Sequence, residues 1–319
     1  MCTAPAVSVV TIVKRGGEVS FLERLQKQDF EKPFEIFVVE GGNRSQARNH
    51  AIVQSSAPLI SFIDADCDAP TRWIAHLVLS LPDDETVAGV GGVSGGTGPA
   101  SKQEKAIDAV FSTYLGSLNS PSLISFSDMK RYCVNAISAH NCLYRKSALI
   151  KVGCFDERFV LNEDTDLCAR LREDGYKLIL DRGVFVHHKR RRGVMNFSRQ
   201  FFWYGVGRIR TMLTCRNCID VKIVSLLLTV VFLAFLMPIF PFLVEAALAC
   251  YLLTVAAVGL VAARRIGAIR LLPAIFSLFL VEHTSYLSGL VAGIFMGCWK
   301  DERPESMRIE RHLVLPTKE

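Results

Sequence analysis

Two long stretches almost free of charge constrain this chain more than any other feature. Residues 223–263 carry one charged side chain, Glu245, and residues 271–299 carry one, Glu282. The rest of the 319 residues hold all the other members of a set of 37 basic and 31 acidic side chains. Outside the two stretches the charged fraction is about 27%, close to the ~25% of an ordinary soluble domain. That division excludes a disordered chain, which lacks the apolar residues needed for a core. Ten cysteines spread over this length also exclude a small disulfide scaffold. The implied organisation is a soluble domain followed by a membrane domain.

The first stretch is about 61 Å long as a single helix, twice the ~30 Å hydrocarbon core. Pro238 and Pro241 fall inside it and would break a helix. It therefore reads as a hairpin, with helices over about 221–237 and 242–263. Arg264, Arg265 and Arg270 follow directly and mark the cytoplasmic side. The expected location is the plasma membrane, multi-pass, with the preceding domain cytoplasmic. No cleavable signal peptide is read at the start, because residues 1–13 lack a basic opening.

Residues 271–299 are long enough to span once, which makes about three spans. Gly289, Gly293 and Gly297 recur every four residues, a spacing that lets helices approach closely. Glu282 and His283 read as a neutralised pair inside the bundle or as a lining for a lipid-linked substrate. Spanning would leave Lys300, Arg303, Arg308 and Arg311 outside, against the charge rule, so a re-entrant segment is the alternative.

The net charge of +6 does not point to nucleic acid. Its densest part, residues 187–192, precedes Phe197, Phe201, Phe202, Trp203 and Tyr204 interleaved with Arg199, Arg208 and Arg210. That mixture suits an interfacial helix in contact with membrane lipids. Cys215-x-x-Cys218 has no second pair, so it reads as a plain thiol pair and not as a zinc site. Four parts result: 1–190 a soluble domain, 191–220 interfacial helix and linker, 221–299 membrane helices, and 300–319 a polar tail. A homo-oligomer is compatible with this layout.

Within 1–190, short β-branched runs alternate with helical stretches. Strands are expected over 6–13, 34–39, 59–63, 87–93 and 177–181, with a further short run at 184–186. Helices are expected over 21–28, 46–54, 71–81 and 103–118. This alternation predicts an α/β fold with a mostly parallel sheet covered on both faces. Such sheets bind ligands at the carboxyl ends of their strands.

After the 59–63 strand comes Asp64-Ala-Asp66-Cys-Asp68. Carboxylates so close repel one another unless a cation joins them, and oxygen donors suit Mg²⁺ or Mn²⁺. A polar turn with Asp68 capping the next helix is the alternative. Asn162-Glu163-Asp164-Thr165-Asp166 precedes an amphipathic helix that Gly175 should stop. Asn162 suits an N-cap and the acids suit the dipole, although a carboxylate there can equally act as a general base. The glycine-rich run 89–98 lacks the Gly-Lys-Ser/Thr ending of a P-loop and reads as a flexible strand end. His187 or His188 is a candidate metal ligand.

Together these residues resemble the GT-A (Rossmann-like) glycosyltransferases of family two, especially membrane-anchored ones that build bacterial and archaeal glycans. The resemblance rests on the first strand, Gln46-Ala-Arg-Asn49, Phe62-Ile-Asp-Ala-Asp66, Asn162 to Arg170, His187-His188 and the stretch from Gln200 to Arg208. It implies an inverting transferase using a nucleotide-diphosphate-sugar donor and a divalent ion. Asp66, Asp64 and His187 would hold the metal, and Glu40, Arg48 and Asp64 would contact the donor. Asp164 would be the catalytic base, with Glu163 and Asp166 as candidates on the acceptor side. The acceptor would be a hydroxyl of a lipid-linked or membrane-proximal glycan. Residues 13–16 and 39–42 depart from the family's usual Pro-x-x-Asn-Glu and Asp-Asp-Gly-Ser. Two other readings compete: a polyprenyl-phosphate sugar synthase, which needs no base, and a non-catalytic membrane scaffold with a degenerate donor site.

Overall fold

The computed structural model describes residues 4–17, 20–95, 101–117, 120, 130–188, 193–296 and 307–316. The basic run 189–192, glycines 96 and 98, Gly297 and the charged residues Lys300 and Arg303 lie outside these. Nine strands among the described residues form one sheet: β1 (Val7–Val13), β2 (Phe34–Glu40), β3 (Leu59–Ile63), β4 (Cys67–Asp68), β5 (Val87–Gly95), β6 (Arg131–Val134), β7 (Asn141–Arg145), β8 (Lys177–His188) and β9 (Arg308–Val314). Their order is β4-β8-β5-β7-β3-β1-β2-β9, with β6 also paired to β8.

Strands β1, β2 and β3 are mutually parallel, and β5 is parallel to β8. Strand β7 runs antiparallel to both β3 and β5, so the two parallel groups point the same way. The chain leaves β1 towards β2 on one side and returns to β3 on the other. That reversal opens a crevice at the carboxyl ends of β1 and β3, where Asp64 and Asp66 begin.

Helices α1 (Ser20–Gln26), α2 (Arg44–Gln54), α3 (Trp73–Ser80), α5 (Lys146–Lys151) and α6 (Glu163–Glu173) cover the sheet. Alternation along each strand feeds two cores. Val10, Phe37, Phe62 and Tyr144 pack with Ile52, Leu149 and Leu167 on one face, while Val9, Ile36, Phe34 and Val186 pack with Leu25, Trp73 and Leu77 on the other. Because both faces are covered, β1 and β2 are buried almost throughout, which is why they read as continuous apolar runs. The runs expected separately at 177–181 and 184–186 form the single strand β8. Its pairing with β5 slips between Gly91 and Val93.

The remaining helices are α4 (Lys102–Phe111), α7 (Val194–Thr214), α8 (Val221–Leu236), α9 (Pro241–Arg265) and α10 (Leu272–Phe295). The hairpin expectation holds closely: α8 ends beside Pro238, and α9 starts on Pro241 at its first turn, where a proline is tolerated. Helix α9 and the segment 269–295 are long and apolar enough to cross a membrane, whereas α8 has 16 residues and is shorter. Phe111, Phe197, Phe201, Val255, Ile275, Phe279 and Leu290 join α4, α7, α9 and α10 in a third apolar cluster. Helix α10 packs along α7: a Cβ on Gly289 would strike the Phe202 carbonyl, and one on Gly205 the Tyr286 carbonyl.

The C-terminal segment departs from expectation. Instead of a polar tail, residues 308–314 form β9, antiparallel to the whole of β2. Glu35 on β2 is fully buried, and Arg311 of β9 completes its partners with an Nε–H donated at 2.6 Å. Burial pushes the Glu35 carboxyl up, but bonds from Ser8 and Ser56 and the Arg311 charge together hold it below its ordinary value.

Candidate active site

The 59–63 strand is buried and ends where the next residue is charged. Beyond Ile63 the Cys67 amide donates to the Asp64 carbonyl at 2.9 Å, turning the chain back. The short strand β4 that follows pairs antiparallel with the last two residues of β8, Cys67 opposite His188 and Asp68 opposite His187. Asp68 does not cap α3; it forms an ion pair with Arg24 at 3.2 Å.

This pairing decides which histidine meets the acidic turn. His188 Nε2 lies 3.2 Å from Asp66 Oδ1, and its ring stacks on His140 with centroids 5.3 Å apart. His187 points to the opposite side of the strand and packs edge-on against Phe185. The histidine beside Asp66 is therefore His188 and not the expected ligand His187, because successive strand residues face opposite ways. Burial raises the Asp66 carboxyl, but the His188 bond and charge, a backbone bond and His140 together hold it below its usual range.

The donor set fits a divalent ion. Asp66, Cys67 and His188 bring a carboxylate oxygen, a thiol and an imidazole nitrogen within 4.8 Å of one another, with Asp66 exposed. Carboxylate and imidazole are donors that Mn²⁺ accepts readily, and Mg²⁺ would use the carboxylate oxygens. Asp64 is half-buried, and its charge acts on Arg48.

Helix α6 supplies the second carboxylate cluster. Asn162 stands at its N-cap in the left-handed region, φ +60°, and its side chain makes no cap bond. Gly175, at φ +88°, ends it as expected. The acids of its first turn, Glu163, Asp164 and Asp166, then face three directions, since each residue turns the helix by about 100°.

Glu163 is buried and takes the Arg48 guanidinium at 2.5 Å, with both side chains about 5% exposed. Arg48 also lies over the rings of Phe62 and Phe155, at 5.7 and 5.2 Å. The expected donor residue Arg48 and the expected acceptor-side residue Glu163 are thus paired with each other. The pair sits beneath the crevice. Burial lowers the Arg48 pKa, but Glu163, Asp64 and Asp164 more than reverse this, so one guanidinium serves all three carboxylates.

Asp164 accepts the Thr165 amide at 2.8 Å and the Ala139 amide at 3.4 Å. Burial and the adjacent Glu163 push its carboxyl up to about 6, against the pull of Arg48 and the two amides. A base poised near working pH is what general catalysis favours. Asp166 points away from this cluster. This candidate for the acceptor side is buried and holds Arg170 at 2.7 Å. Glu40 ends β2 and accepts the Gly16 amide at 2.6 Å, at the edge of the same crevice. Sequence reasoning missed His140, for which no spacing signal exists, and Asn141, which is buried and receives the Trp73 indole at 2.8 Å.

Comparisons with known proteins agree with this geometry. The profile of "Glycosyl transferase family group 2" matches residues 72–281. A pre-mycofactocin glycosyltransferase of Mycobacterium tuberculosis is 29% identical over 163 residues, 50% of this chain and 33% of that protein. The succinoglycan biosynthesis protein ExoA of Rhizobium meliloti is 38% identical over 78 residues, 24% of this chain and 23% of that protein. The chain thus spans a third or less of the length of these relatives. A mannosyltransferase from Pyrobaculum calidifontis, solved with GDP-Man and Mn²⁺, superposes with a TM-score of 0.56 at 16% identity. That match covers 92% of this chain and 88% of the other, and it is a likeness of GT-A fold. With the family profile spanning well over half of its length, this chain belongs to glycosyl transferase family group 2.

Proposed function

We propose that the protein moves a sugar from a nucleotide-diphosphate sugar to a hydroxyl of a lipid-linked or membrane-proximal glycan, with inversion. The observation that carries this reading is Asp164: a carboxylate of raised basicity, oriented by two backbone amides, at the same crevice as Asp64 and Asp66. Asp164 takes the proton of the acceptor hydroxyl. The freed oxygen attacks the anomeric carbon, and the bond to the diphosphate oxygen breaks with its electron pair leaving on the nucleotide. A single displacement of this kind inverts the carbon. Arg48 and Glu163 hold α6 and the Asp64 turn together from beneath. Glu40 lies at the nucleotide end, at the tip of β2. When bound, Mg²⁺ or Mn²⁺ held by Asp66 and His188 would neutralise charge on the leaving diphosphate as a Lewis acid.

A lipid-carried acceptor is supported by a shallow groove of about 290 Å³ lined by Thr113, Tyr114, Ala257, Val258, Val261 and Arg265. Apolar walls with one cation suit a chain that ends in phosphate. The hairpin of α8 and α9 enters the bilayer from the side of the catalytic sheet, with Arg264 and Arg265 on that side. Helix α10 rests on α7 and returns the chain to the sheet.

Asp164→Asn tests the reading with nucleotide sugars and a membrane lipid extract, the products identified by mass. Turnover should fall more than ~100-fold while donor binding is kept, and wild-type turnover should fall as pH drops below about 6. Unchanged transfer would instead make the acceptor a phosphate, as in a polyprenyl-phosphate sugar synthase.

A further inference from the structure

Asp166 lies two residues past Asp164 and about 200° round the same helix. It faces the linker that carries the chain from α7 into the apolar hairpin. There a tight turn, closed by the Cys218 amide donating to the Cys215 carbonyl at 3.0 Å, brings both cysteines to one side. The turn is fastened to α6, because the Asn217 amide group donates to Glu173. Asp166 is 4% exposed and Cys218 is 7% exposed. Both cysteines are free thiols. One ligand atom each from Asp166, Cys215 and Cys218 lies within 4.8 Å of the other two.

We propose that Cys215, Cys218 and Asp166 bind a zinc ion that clamps α6 to the linker at the membrane edge. The sequence shows no second cysteine pair, and folding supplies a carboxylate in its place. Two thiolates and a carboxylate make a donor set of the kind tetrahedral zinc accepts, with water in the fourth position. Ligand atoms around such an ion stand about 3.3–3.8 Å apart, so the cluster needs to contract by roughly 1 Å. Arg170 donates to Asp166 Oδ2 from Nε at 2.9 Å and from Nη2 at 2.7 Å, fixing the carboxylate as outer partners of metal ligands commonly do. A disulfide would use the two sulfurs alone and leave Asp166 only its ion pair with Arg170. Zinc uses all three, and thiols on the cytoplasmic side stay reduced.

The full chain, purified in detergent under reducing conditions, decides the matter by elemental analysis and by cobalt replacement. About one zinc per chain is expected in the wild type, falling at least ~10-fold in Cys215→Ser/Cys218→Ser. Cobalt should give a thiolate-to-metal charge-transfer band in the wild type that the double variant lacks. The cobalt titration of the wild type needs no variant, so it stands even if the serine chain folds poorly. Wild-type protein with neither zinc nor a cobalt band overturns the proposal. So does zinc content indifferent to the serines, or a Cys215–Cys218 disulfide in protein alkylated at lysis.

Discussion

Glu163 and Asp164 are adjacent in the chain and have opposite fates. Glu163 is consumed by Arg48, whereas Asp164 is left with two amides and a raised pKa. Glu163→Gln keeps the shape but leaves a buried guanidinium facing a neutral amide, a loss of about 3–5 kcal/mol in thermal or denaturant melts. It also removes the charge that raises Asp164, so the acid limb of the pH–rate profile should move below about 6. Asp164→Asn behaves differently. The folded pKa of Asp164 lies above the ~3.9 of an unfolded aspartate, so its ionisation costs stability progressively from about pH 4 and fully above about pH 6. Asparagine removes that cost, but its Nδ2 faces one of the two amides, which donate to separate oxygens, so the melting temperature should change little while turnover is lost. Asp64, Asp66 and Asp164 were legible in sequence because charge stands where a buried strand or a helix begins or ends. The choice of His188 over His187 was not, since it depends on the phase of a strand whose partner is two residues long. Nor was the Arg48–Glu163 pair, whose members lie 115 positions apart.

Among elements, the α7–α10 contact is the tightest. Spacing at Gly289 and Gly293 correctly signalled a close helix approach, but the partner is α7 and not a second membrane span. Gly289→Ala should cost about 1–3 kcal/mol by forcing a methyl onto the Phe202 carbonyl. Ser288→Ala, one residue away and exposed, should leave the melting temperature almost unchanged. The elements lost to sequence reading share a cause. Strand β7 runs into α5 with no turn residue between Arg145 and Lys146. Strand β9 is an edge strand rich in Arg, Glu and His, a composition that blunts sheet edges and reads as a solvated tail.

At the scale of the whole molecule, a strand cannot pair through a bilayer. The chain between β8 and β9 must therefore cross an even number of times, whichever helices enter. Accessibility labelling of single cysteines placed near residues 193 and 315 should report the same side of the membrane, and opposite sides would refute this parity. The pairing of β9 with β2 also sets an order of assembly. At ~5–20 residues per second, roughly 13–54 s separate the synthesis of Glu40 from that of Arg308. Throughout that interval the β2 edge is open and Glu35 lacks Arg311. Only a chain whose hydrophobic helices have already been delivered can close its own sheet, so a molecule that fails at the membrane keeps a sticky, protease-sensitive edge by which it can be recognised and removed.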